Sequence, residues 1–345
     1  MKTKKIIKPV IAIALFFFAA IALKGQEVRL FEKELEASRG MTVSIDNQFG
    51  DIECHTWNKN RIYVAVDVKG QLESEKRVKE KIDIEFDSSS DEVSFETEIK
   101  GNFASDESTK IFYTVKIPAE TNINFENKFG NIFIESISGR SEIENKFGNV
   151  QIRTLDGDNN LLDVKFGNLE IDDINTGEVD VSNGNTSIDN AHKLTLDAKF
   201  GNVDLGNIDE AYVDVKNGSF SIQEAGKLHL DGSFGSVKIQ EVTGELVLEN
   251  SHGNTKIARI SENVSSVQID NKFGKVKIGI DDDATYRVHC KVQMGSFYYP
   301  EDLAKFDQVS SSMMNKEYEG KIGHGTSDKT MEIESKNGDV VIFVY

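Results

Sequence analysis

Cysteine and proline are scarce in this chain, and basic residues are outnumbered by acidic ones; each of these shortages excludes a class of protein. Only 2 Cys and 3 Pro occur in 345 residues, which excludes a disulfide scaffold and a collagen-like or proline-rich chain. The 40 Lys and Arg face 58 Asp and Glu, for a formal charge of −18. Nonspecific nucleic-acid binding and docking on anionic lipid both depend on positive charge, so the sequence predicts neither.

Long apolar runs are scarce as well, and the longest lies at the start of the chain. Pro9–Leu23 spans 15 residues and follows four lysines within the first eight positions. This length suits the core of a signal peptide and falls short of the ~20 residues that a spanning helix needs. We predict a signal peptide at 1–25, a mature chain beginning near Gln26, and no transmembrane segment after cleavage. The protein would then be exported to the periplasm, the cell surface or the medium; the alternative is an uncleaved anchor.

A short phrase built on Phe-Gly recurs through the middle of the chain. Its clearest copies are Asn127–Asn131, Asn145–Asn149, Val164–Asn168, Ala198–Asn202 and Asn271–Lys275, and weaker copies centre on Gly184, Gly218, Gly235 and Gly253. From Gly130 to Gly274 the glycines of successive copies are 17–21 residues apart. A fixed period of this length indicates a solenoid, whose units bury their apolar side chains only by stacking on one another.

Apolar and polar residues alternate on both sides of each glycine. Around Gly130, for example, the apolar positions are Phe125, Ile132 and Ile134, and the same offsets are apolar in most other repeats. Period two predicts two short strands per repeat, meeting at a bend where glycine supplies backbone freedom. We therefore predict an all-β fold, a parallel β-solenoid of about 17–21 residues per coil.

The offset from the glycine of each repeat also defines four further columns of side chains, each with one residue per repeat. Phe precedes the glycine in six repeats, with Asn183, Asn217 or His252 in others, and we expect an inner packing column of alternating large and small residues. Phe220 is expected to return the volume lost at Asn217. The position four before the glycine is acidic in all nine repeats, and the position two before is Lys in six, which predicts an outer salt-bridge lattice. Asn follows most of the glycines, and stacked amides can hydrogen-bond along such a column.

The sequence on either side of the repeats reads differently. Alternating segments between residues 61 and 117 predict an antiparallel β cap on the N-terminal end of the solenoid, with a short helix at 72–80. An irregular stretch to Thr330 precedes closing strands around Gly338. The predicted organisation is a signal peptide at 1–25, an N-terminal β region and cap at 26–122, solenoid repeats at 123–297, and an irregular insertion with closing strands at 298–345.

The acidic residues supply two weak candidates for a metal site, both for Ca²⁺. Asp231 and Glu249 lie in repeats that lack the column lysine, where a hard cation would meet the least competition. Asp281, Asp282 and Asp283 form a second group whose sequence is also typical of a turn. The histidines show no metal-ligand spacing, and no other cofactor and no catalytic residue is predicted.

The two cysteines allow two interpretations. Cys54 and Cys290 each lie on an alternating apolar face, which is typical of a buried small side chain. A disulfide between them is the alternative.

Several of these features together resemble a known family. The leader, the strand ending in Tyr113–Pro118, the glycine-punctuated repeats and the closing Ser335–Ile342 are similar to the bacterial "putative adhesin" β-solenoid family of unknown function. The resemblance covers about residues 40–345. It implies the solenoid fold and a cell-envelope or surface role, and it carries no catalytic or binding residues.

We predict a non-catalytic, adhesin-like envelope or surface protein that presents a rigid solenoid face to a partner. That partner would be another envelope or surface protein or a glycan. One alternative is a structural spacer or calcium-responsive module. A polysaccharide-active β-helix enzyme is a weaker one, because no repeat places Arg, Lys and Asp together beside an aromatic residue.

Overall fold

The fold is built almost entirely of strands. The computed structural model describes residues 26–70, 74–100, 109–312 and 314–345, and the predicted signal peptide at 1–25 lies outside these ranges. Within them, 26 strands accompany one short helix. The predicted all-β class is confirmed.

Antiparallel strands begin the chain, as the sequence predicts. These elements are β1 (Gln26–Glu36), β2 (Thr42–Gln48), β3 (Ile52–Thr56), β4 (Arg61–Gly70), α1 (Glu75–Lys81), β5 (Ile82–Ser88), β6 (Glu92–Ile99) and β7 (Lys110–Ile117). β4 pairs antiparallel with β1 and β7, and β5 pairs antiparallel with β6. β6 and β7 also pair in parallel with β2 and β3, so the cap continues directly into the solenoid. The predicted helix at 72–80 is confirmed from Glu75 onward; residues 72 and 73 lie outside the described ranges.

The repeats form a stack of parallel strands. They are β8 (Asn122–Lys128), β9 (Ile132–Ile137), β10 (Ser141–Lys146), β11 (Val150–Leu155), β12 (Asn160–Lys165), β13 (Leu169–Ser182), β14 (Thr186–Lys199), β15 (Val203–Lys216), β16 (Phe220–Gly232), β17 (Val237–His252), β18 (Thr255–Ile260), β19 (Ser266–Phe273) and β20 (Val276–Ile280). Each strand pairs with the corresponding strands of the neighbouring repeats. Paired residues have the same offset from the glycine, so that Ile152 pairs with Ile134 and Ile171. The predicted parallel β-solenoid is confirmed.

The C-terminal coils do not stack in chain order. Their strands are β21 (Tyr286–Gln293), β22 (Phe297–Tyr298), β23 (Ala304–Ser311), β24 (Asn315–Ile322), β25 (Thr330–Lys336) and β26 (Val340–Val344). β25 lies between β19 and β21, and β26 lies between β20 and β22. The closing coil therefore inserts ahead of the coil that precedes it in sequence.

The stretch predicted to be irregular contains an antiparallel strand pair instead. β23 pairs with β24, and β24 pairs with the edge of β21. The prediction was wrong because β24 is half exposed and carries charged residues at alternate and adjacent positions, so period-two hydrophobicity is absent. Its strand conformation comes from pairing with β21, which the local sequence does not encode.

The apolar columns predicted to be interior are buried. Phe125, Ile188 and Ile222 are each at most 2% exposed. Cys54 in β3 and Cys290 in β21 are also buried, and both are free, so neither forms a disulfide. Burial raises the pKa of both thiols above the ordinary cysteine value, which makes them poor nucleophiles.

The glycine at each bend lies directly against the backbone of a neighbouring coil. A Cβ added at Gly148 would be 1.8 Å from the carbonyl oxygen of Gly130, and one at Gly184 would be 1.7 Å from that of Gly167. From Phe129 to Asn217 the left-handed φ belongs to the residue before the glycine, not to the glycine itself. Close approach between coils, and not the backbone freedom that we expected, therefore requires glycine at these bends.

Candidate functional site: an exposed aromatic ladder

The residues that precede the bend glycines form a column on the outside of the solenoid. We define the aromatic ladder as Phe49, Phe129, Phe147, Phe166, Asn183, Phe200, Asn217, Phe234, His252 and Phe273, one residue per coil. Its phenylalanines from Phe129 to Phe273 are 48–60% exposed. The prediction of an inner packing column was therefore wrong, because the left-handed bend breaks the strict alternation of faces along the strand. Phe220 does not join this column either; it lies in the core and is 2% exposed.

Rings of the aromatic ladder stack face to face. The ring centroids of Phe129 and Phe147 are 5.0 Å apart with planes within 6°, and those of Phe147 and Phe166 are 4.9 Å apart with planes within 6°. Phe49 continues the stack at 5.1 Å from Phe129. Further along, His252 stacks between two phenylalanines, which confirms that it belongs to this column. In these stacks each ring covers its neighbour's face, while about half of each phenylalanine side chain from Phe129 onward stays exposed.

Four phenylalanines of the ladder have an unfavourable backbone conformation. Phe129, Phe147, Phe166 and Phe200 have φ of 56–61°, the left-handed region that bulky side chains avoid. That conformation costs ~1–2 kcal/mol per residue, whereas an aromatic pair contributes ~0.5–1.5 kcal/mol. The two effects nearly cancel, so stability alone does not explain phenylalanine where Asn or Gly would fit without strain.

The bend changes type toward the C-terminal end of the ladder. After Phe234, His252 and Phe273 the left-handed φ moves to the following glycine, with φ of 156° at Gly235 and 143° at Gly253. The aromatic residues in these coils therefore have an ordinary backbone. Aromatic side chains are thus kept at this position on two different bends.

An acidic column lies on the strand that leads into each rung of the ladder. Its members, in register from coil to coil, are Asp46, Glu126, Glu144, Asp163, Asp180, Asp197, Asp214, Asp231, Glu249 and Asp270. Lysines in the same coils form ion pairs with three of them. Lys165 pairs with Asp163, Lys199 with Asp197 at 2.9 Å and Lys216 with Asp214 at 2.6 Å. In these coils the predicted salt-bridge lattice is present.

Negative charge is in excess where the lysine is missing. Ser182 takes the place of the lysine in the coil of Asp180. Burial, together with the neighbouring carboxylates of Asp197 and Asp163, raises the pKa of Asp180 above the ordinary aspartate value. Burial and the carboxylates of Asp46 and Glu144 also raise the pKa of Glu126, although its coil retains Lys128. Across the two columns ten carboxylates accompany six lysines, so the strand face that leads into the aromatic ladder has a net negative charge.

The other flank of the ladder is a neutral column of asparagines. The backbone N–H of Asn149 donates to Oδ1 of Asn131 at 2.9 Å, and Asn168 and Asn185 continue the pattern at 2.9 Å each. The N–H of Asn202 donates to Oδ1 of Asn185 at 3.0 Å. The predicted hydrogen bonding along this column is confirmed, with backbone N–H groups as the main donors.

Comparisons with known proteins identify the repeat region. Residues 171–342 match the model of the family described as Toastrack DUF4097. We call residues 171–342 the Toastrack region, after the family that they resemble. The resemblance inferred from the sequence, to "putative adhesin" β-solenoid proteins of unknown function, is thereby confirmed.

Solved structures from three bacteria are similar to this chain. They are a putative cell adhesion protein from Clostridium sporogenes (11% identity, 93% of this chain and 100% of that one, TM-score 0.19), a putative adhesin from Bacteroides fragilis (12%, 91% and 96%, TM-score 0.28) and a putative adhesin from Parabacteroides distasonis (12%, 92% and 98%, TM-score 0.28). A comparison with curated proteins finds no match.

The acidic residues suggested for Ca²⁺ lie in two separate parts of the molecule. Asp231 and Glu249, both in the Toastrack region, are exposed register neighbours on β16 and β17. Asp281, Asp282 and Asp283 form a turn after β20, in which Oδ1 of Asp281 accepts from the N–H of Asp283 at 3.0 Å. Neither group gathers further ligands of the kinds that hold a metal within the part of the chain that the structure describes.

A different cluster has metal-ligand spacing in the described residues. His289 on β21 lies opposite Glu319 on β24, and His289, Glu317 and Glu319 bring one ligand atom each to within 4.8 Å of one another. Nε2 of His289 is 2.9 Å from Oε1 of Glu317, and this hydrogen bond lowers the pKa of Glu317. The cluster is not visible in the sequence because Glu317 and Glu319 become neighbours of His289 only through the pairing of β21 with β24.

The Toastrack region and the rest of the described chain consist of strands and one helix. None of the helical residues that the structure describes forms a segment long and apolar enough to cross a membrane.

Proposed function

We propose that the protein is an exported, non-catalytic cell-envelope or surface protein that binds a partner through the face carrying the aromatic ladder. The observation that carries this proposal is the row of half-exposed phenylalanines held on a strained backbone. Exposed aromatic rings in line are typical of binding surfaces. The leader at 1–25 supports export, and the partner would be another envelope or surface protein or a glycan.

The solenoid suits this role because it fixes the spacing of the rings. Every coil is hydrogen-bonded to its neighbours on both sides of the bend, for example Phe147 N–H to the Lys165 carbonyl at 2.9 Å and Val150 N–H to the Asn168 carbonyl at 2.9 Å. A partner therefore meets rings that are already ordered, which lowers the entropy cost of binding.

Replacing ladder phenylalanines by asparagine tests the proposal directly. The triple variant Phe129→Asn, Phe147→Asn, Phe166→Asn removes three rings and installs the residue that Asn183 and Asn217 already place at this bend. The loss of ring stacking should nearly cancel the gain from relieving the backbone strain. We therefore expect the unfolding free energy to change by less than ~2 kcal/mol. Binding of the labelled protein to intact cells of its source bacterium, measured by flow cytometry, should fall at least tenfold.

A matched control uses an exposed aromatic residue outside the ladder. Tyr212 is 39% exposed on β15, and Tyr212→Asn should leave cell binding unchanged. Equal binding by the triple variant and the wild type would show that the ladder is not the binding face.

Export is tested separately from binding. Cell fractionation of the full chain and of a variant lacking residues 2–25 should place the first outside the cytoplasm and the second inside it. Recovery of both from the cytoplasm would reject an envelope or surface role.

A further inference from the structure

The aromatic ladder is interrupted between two rings that share the same left-handed bend. Phe166 and Phe200 lie two coils apart, about 9.6 Å at the strand spacing of a sheet, with Asn183 between them. Asn183 is exposed, and its flat amide is shorter than a phenyl ring, so its own side chain leaves the outer part of this ring position unfilled. We call this opening the ring slot.

The exposure of its walls is consistent with an open slot. Phe166 and Phe200 are 54% and 60% exposed, whereas Phe129 and Phe147 in the unbroken stack are 48% and 49% exposed. Rings in that stack have centroids 4.9–5.1 Å apart and planes within 5–6°. A guest in the place of the missing ring would have an aromatic face on each side, so it must be flat.

The chemistry around the ring slot favours a positively charged guest. The faces of Phe166 and Phe200 carry the negative potential of the ring quadrupole. Hydrogen bonds of this coil involve the neighbouring Asn185 side chain, and no described residue bonds to that of Asn183, whose Oδ1 can therefore accept. Lys165 and Lys199, which directly precede the two walls, are ion-paired with Asp163 and Asp197. Asp180 between them has Ser182 in place of a column lysine, and its pKa is raised by burial and by the carboxylates of Asp197 and Asp163 against the opposing charge of Lys199.

We propose that the ring slot binds the guanidinium group of an arginine on a partner polypeptide. This inference rests on the proposed function, since it names what the ladder face recognises. A guanidinium is flat, permanently charged and weakly hydrated, and its N–H groups can donate to Oδ1 of Asn183. The ammonium of a lysine is charged but not flat, and a phenyl ring is flat but uncharged. The formal charge of −18 favours a basic partner over a second copy of this chain.

A second opening sets a spacing for the partner. Asn217 lies between Phe200 and Phe234, two coils beyond Asn183, so the two openings are about 9.6 Å apart. In a polyproline II segment every third residue lies on the same side and advances about 9.3 Å. Arginines at positions i and i+3 of such a segment would therefore reach both openings.

The probes for this proposal are three tetrapeptides with blocked ends, Arg-Pro-Pro-Arg, Lys-Pro-Pro-Lys and Phe-Pro-Pro-Phe. Their binding to the wild-type protein is followed by the NMR signals of the Asn183 and Asn217 side-chain amides. We expect saturable shifts with the arginine peptide and affinity at least about fivefold higher than for the lysine peptide, because one stacked cation contributes that much or more. Equal affinity for the arginine and lysine peptides would mean that the acidic residues attract any positive charge. Tighter binding of the phenylalanine peptide would mean that the slot binds an aromatic ring. Either result overturns the proposal.

Filling the openings provides the matched variants. Asn183→Phe with Asn217→Phe completes the ladder and should abolish the preference for arginine, whereas Asn337→Phe, the same change on a left-handed bend outside both openings, should preserve it. Retained preference in the double variant overturns the proposal. If the double variant fails to fold, Asn183→Asp keeps the bend and adds a carboxylate; it should tighten arginine-peptide binding about fivefold, and unchanged affinity would overturn the proposal.

The two proposals fail in different ways. If the peptides show no arginine preference while the phenylalanine-to-asparagine ladder variant loses cell binding, the ladder face still binds a partner and only the slot chemistry is wrong. If cell binding survives in that ladder variant, the binding face itself is wrong.

Discussion

The bend glycines offer the sharpest test of how the coils are held together. At Gly184 a methyl group would lie 1.7 Å from the carbonyl oxygen of Gly167, about 1.3 Å inside the 3.0 Å limit for real Cβ contacts. The obstacle is backbone, so no side-chain rotation can relieve it. Gly184→Ala must therefore push these two coils apart.

Separation of the coils would break the hydrogen bonds on either side of the contact. Phe166 N–H donates to the Ser182 carbonyl at 2.8 Å, and Leu169 N–H donates to the Asn185 carbonyl at 2.9 Å. Stretching both by more than an ångström loses two bonds and leaves their groups unsatisfied, at ~1–2 kcal/mol each. We expect Gly184→Ala to lower the unfolding free energy by about 3 kcal/mol, measured by urea denaturation with circular dichroism.

Gly40→Ala is the matched control because it separates steric clash from backbone conformation. Gly40 has φ of 77° and open space where a Cβ would be, so alanine there meets only the left-handed penalty of ~1 kcal/mol. Gly184 has the opposite combination, an ordinary φ and a backbone clash. Equal destabilisation by the two substitutions would refute the idea that glycine is needed for close approach between coils.

Four further predictions concern the core, the acidic column and the cysteines. Ile222→Asp places an unpaired charge in the core and should cost several kcal/mol, seen as loss of cooperative melting; an unchanged melt would invert the assignment of faces. Because the pKa of Asp180 is raised in the fold, its carboxyl favours folding only while protonated, and this contribution is lost as pH rises through the folded pKa. Asp180→Asn should therefore stabilise the protein at pH 7, and the gain should shrink as pH falls and vanish below the ordinary aspartate pKa of 3.8, measured by urea denaturation at pH 7 and below that value; a gain that is independent of pH would exclude this cause. Asp231→Asn should change stability by less than ~1 kcal/mol with or without millimolar Ca²⁺, whereas a calcium-dependent rise in melting temperature that this variant loses would place a cation there. Cys54 and Cys290 are buried and free, so a thiol reagent should label them only after denaturation, and rapid native labelling would contradict their burial.

The candidate site shows where reading the sequence succeeded and where it did not. The column of phenylalanines, the acidic column and the asparagine column were all visible as offsets from the glycine. Whether Phe147 points in or out was not, because period-two alternation fails at a residue with φ of 61°. The cluster of His289 with Glu317 was invisible for another reason, since it depends on a strand pairing between residues 28 positions apart.

The sequence by itself determined the solenoid. A fixed period, with apolar residues such as Ile134 and Ile152 at constant offsets from each glycine, allows burial only if identical coils stack in register. Tertiary structure alone decided three matters: that the bend glycines meet neighbouring backbone, that the aromatic rings face solvent, and that β25 inserts between β19 and β21. The physical reason is the same in each case. A repeat encodes its own strand pattern locally, but the distance to the next coil, the direction of a side chain at a bend and the order of stacking are set by contacts between coils.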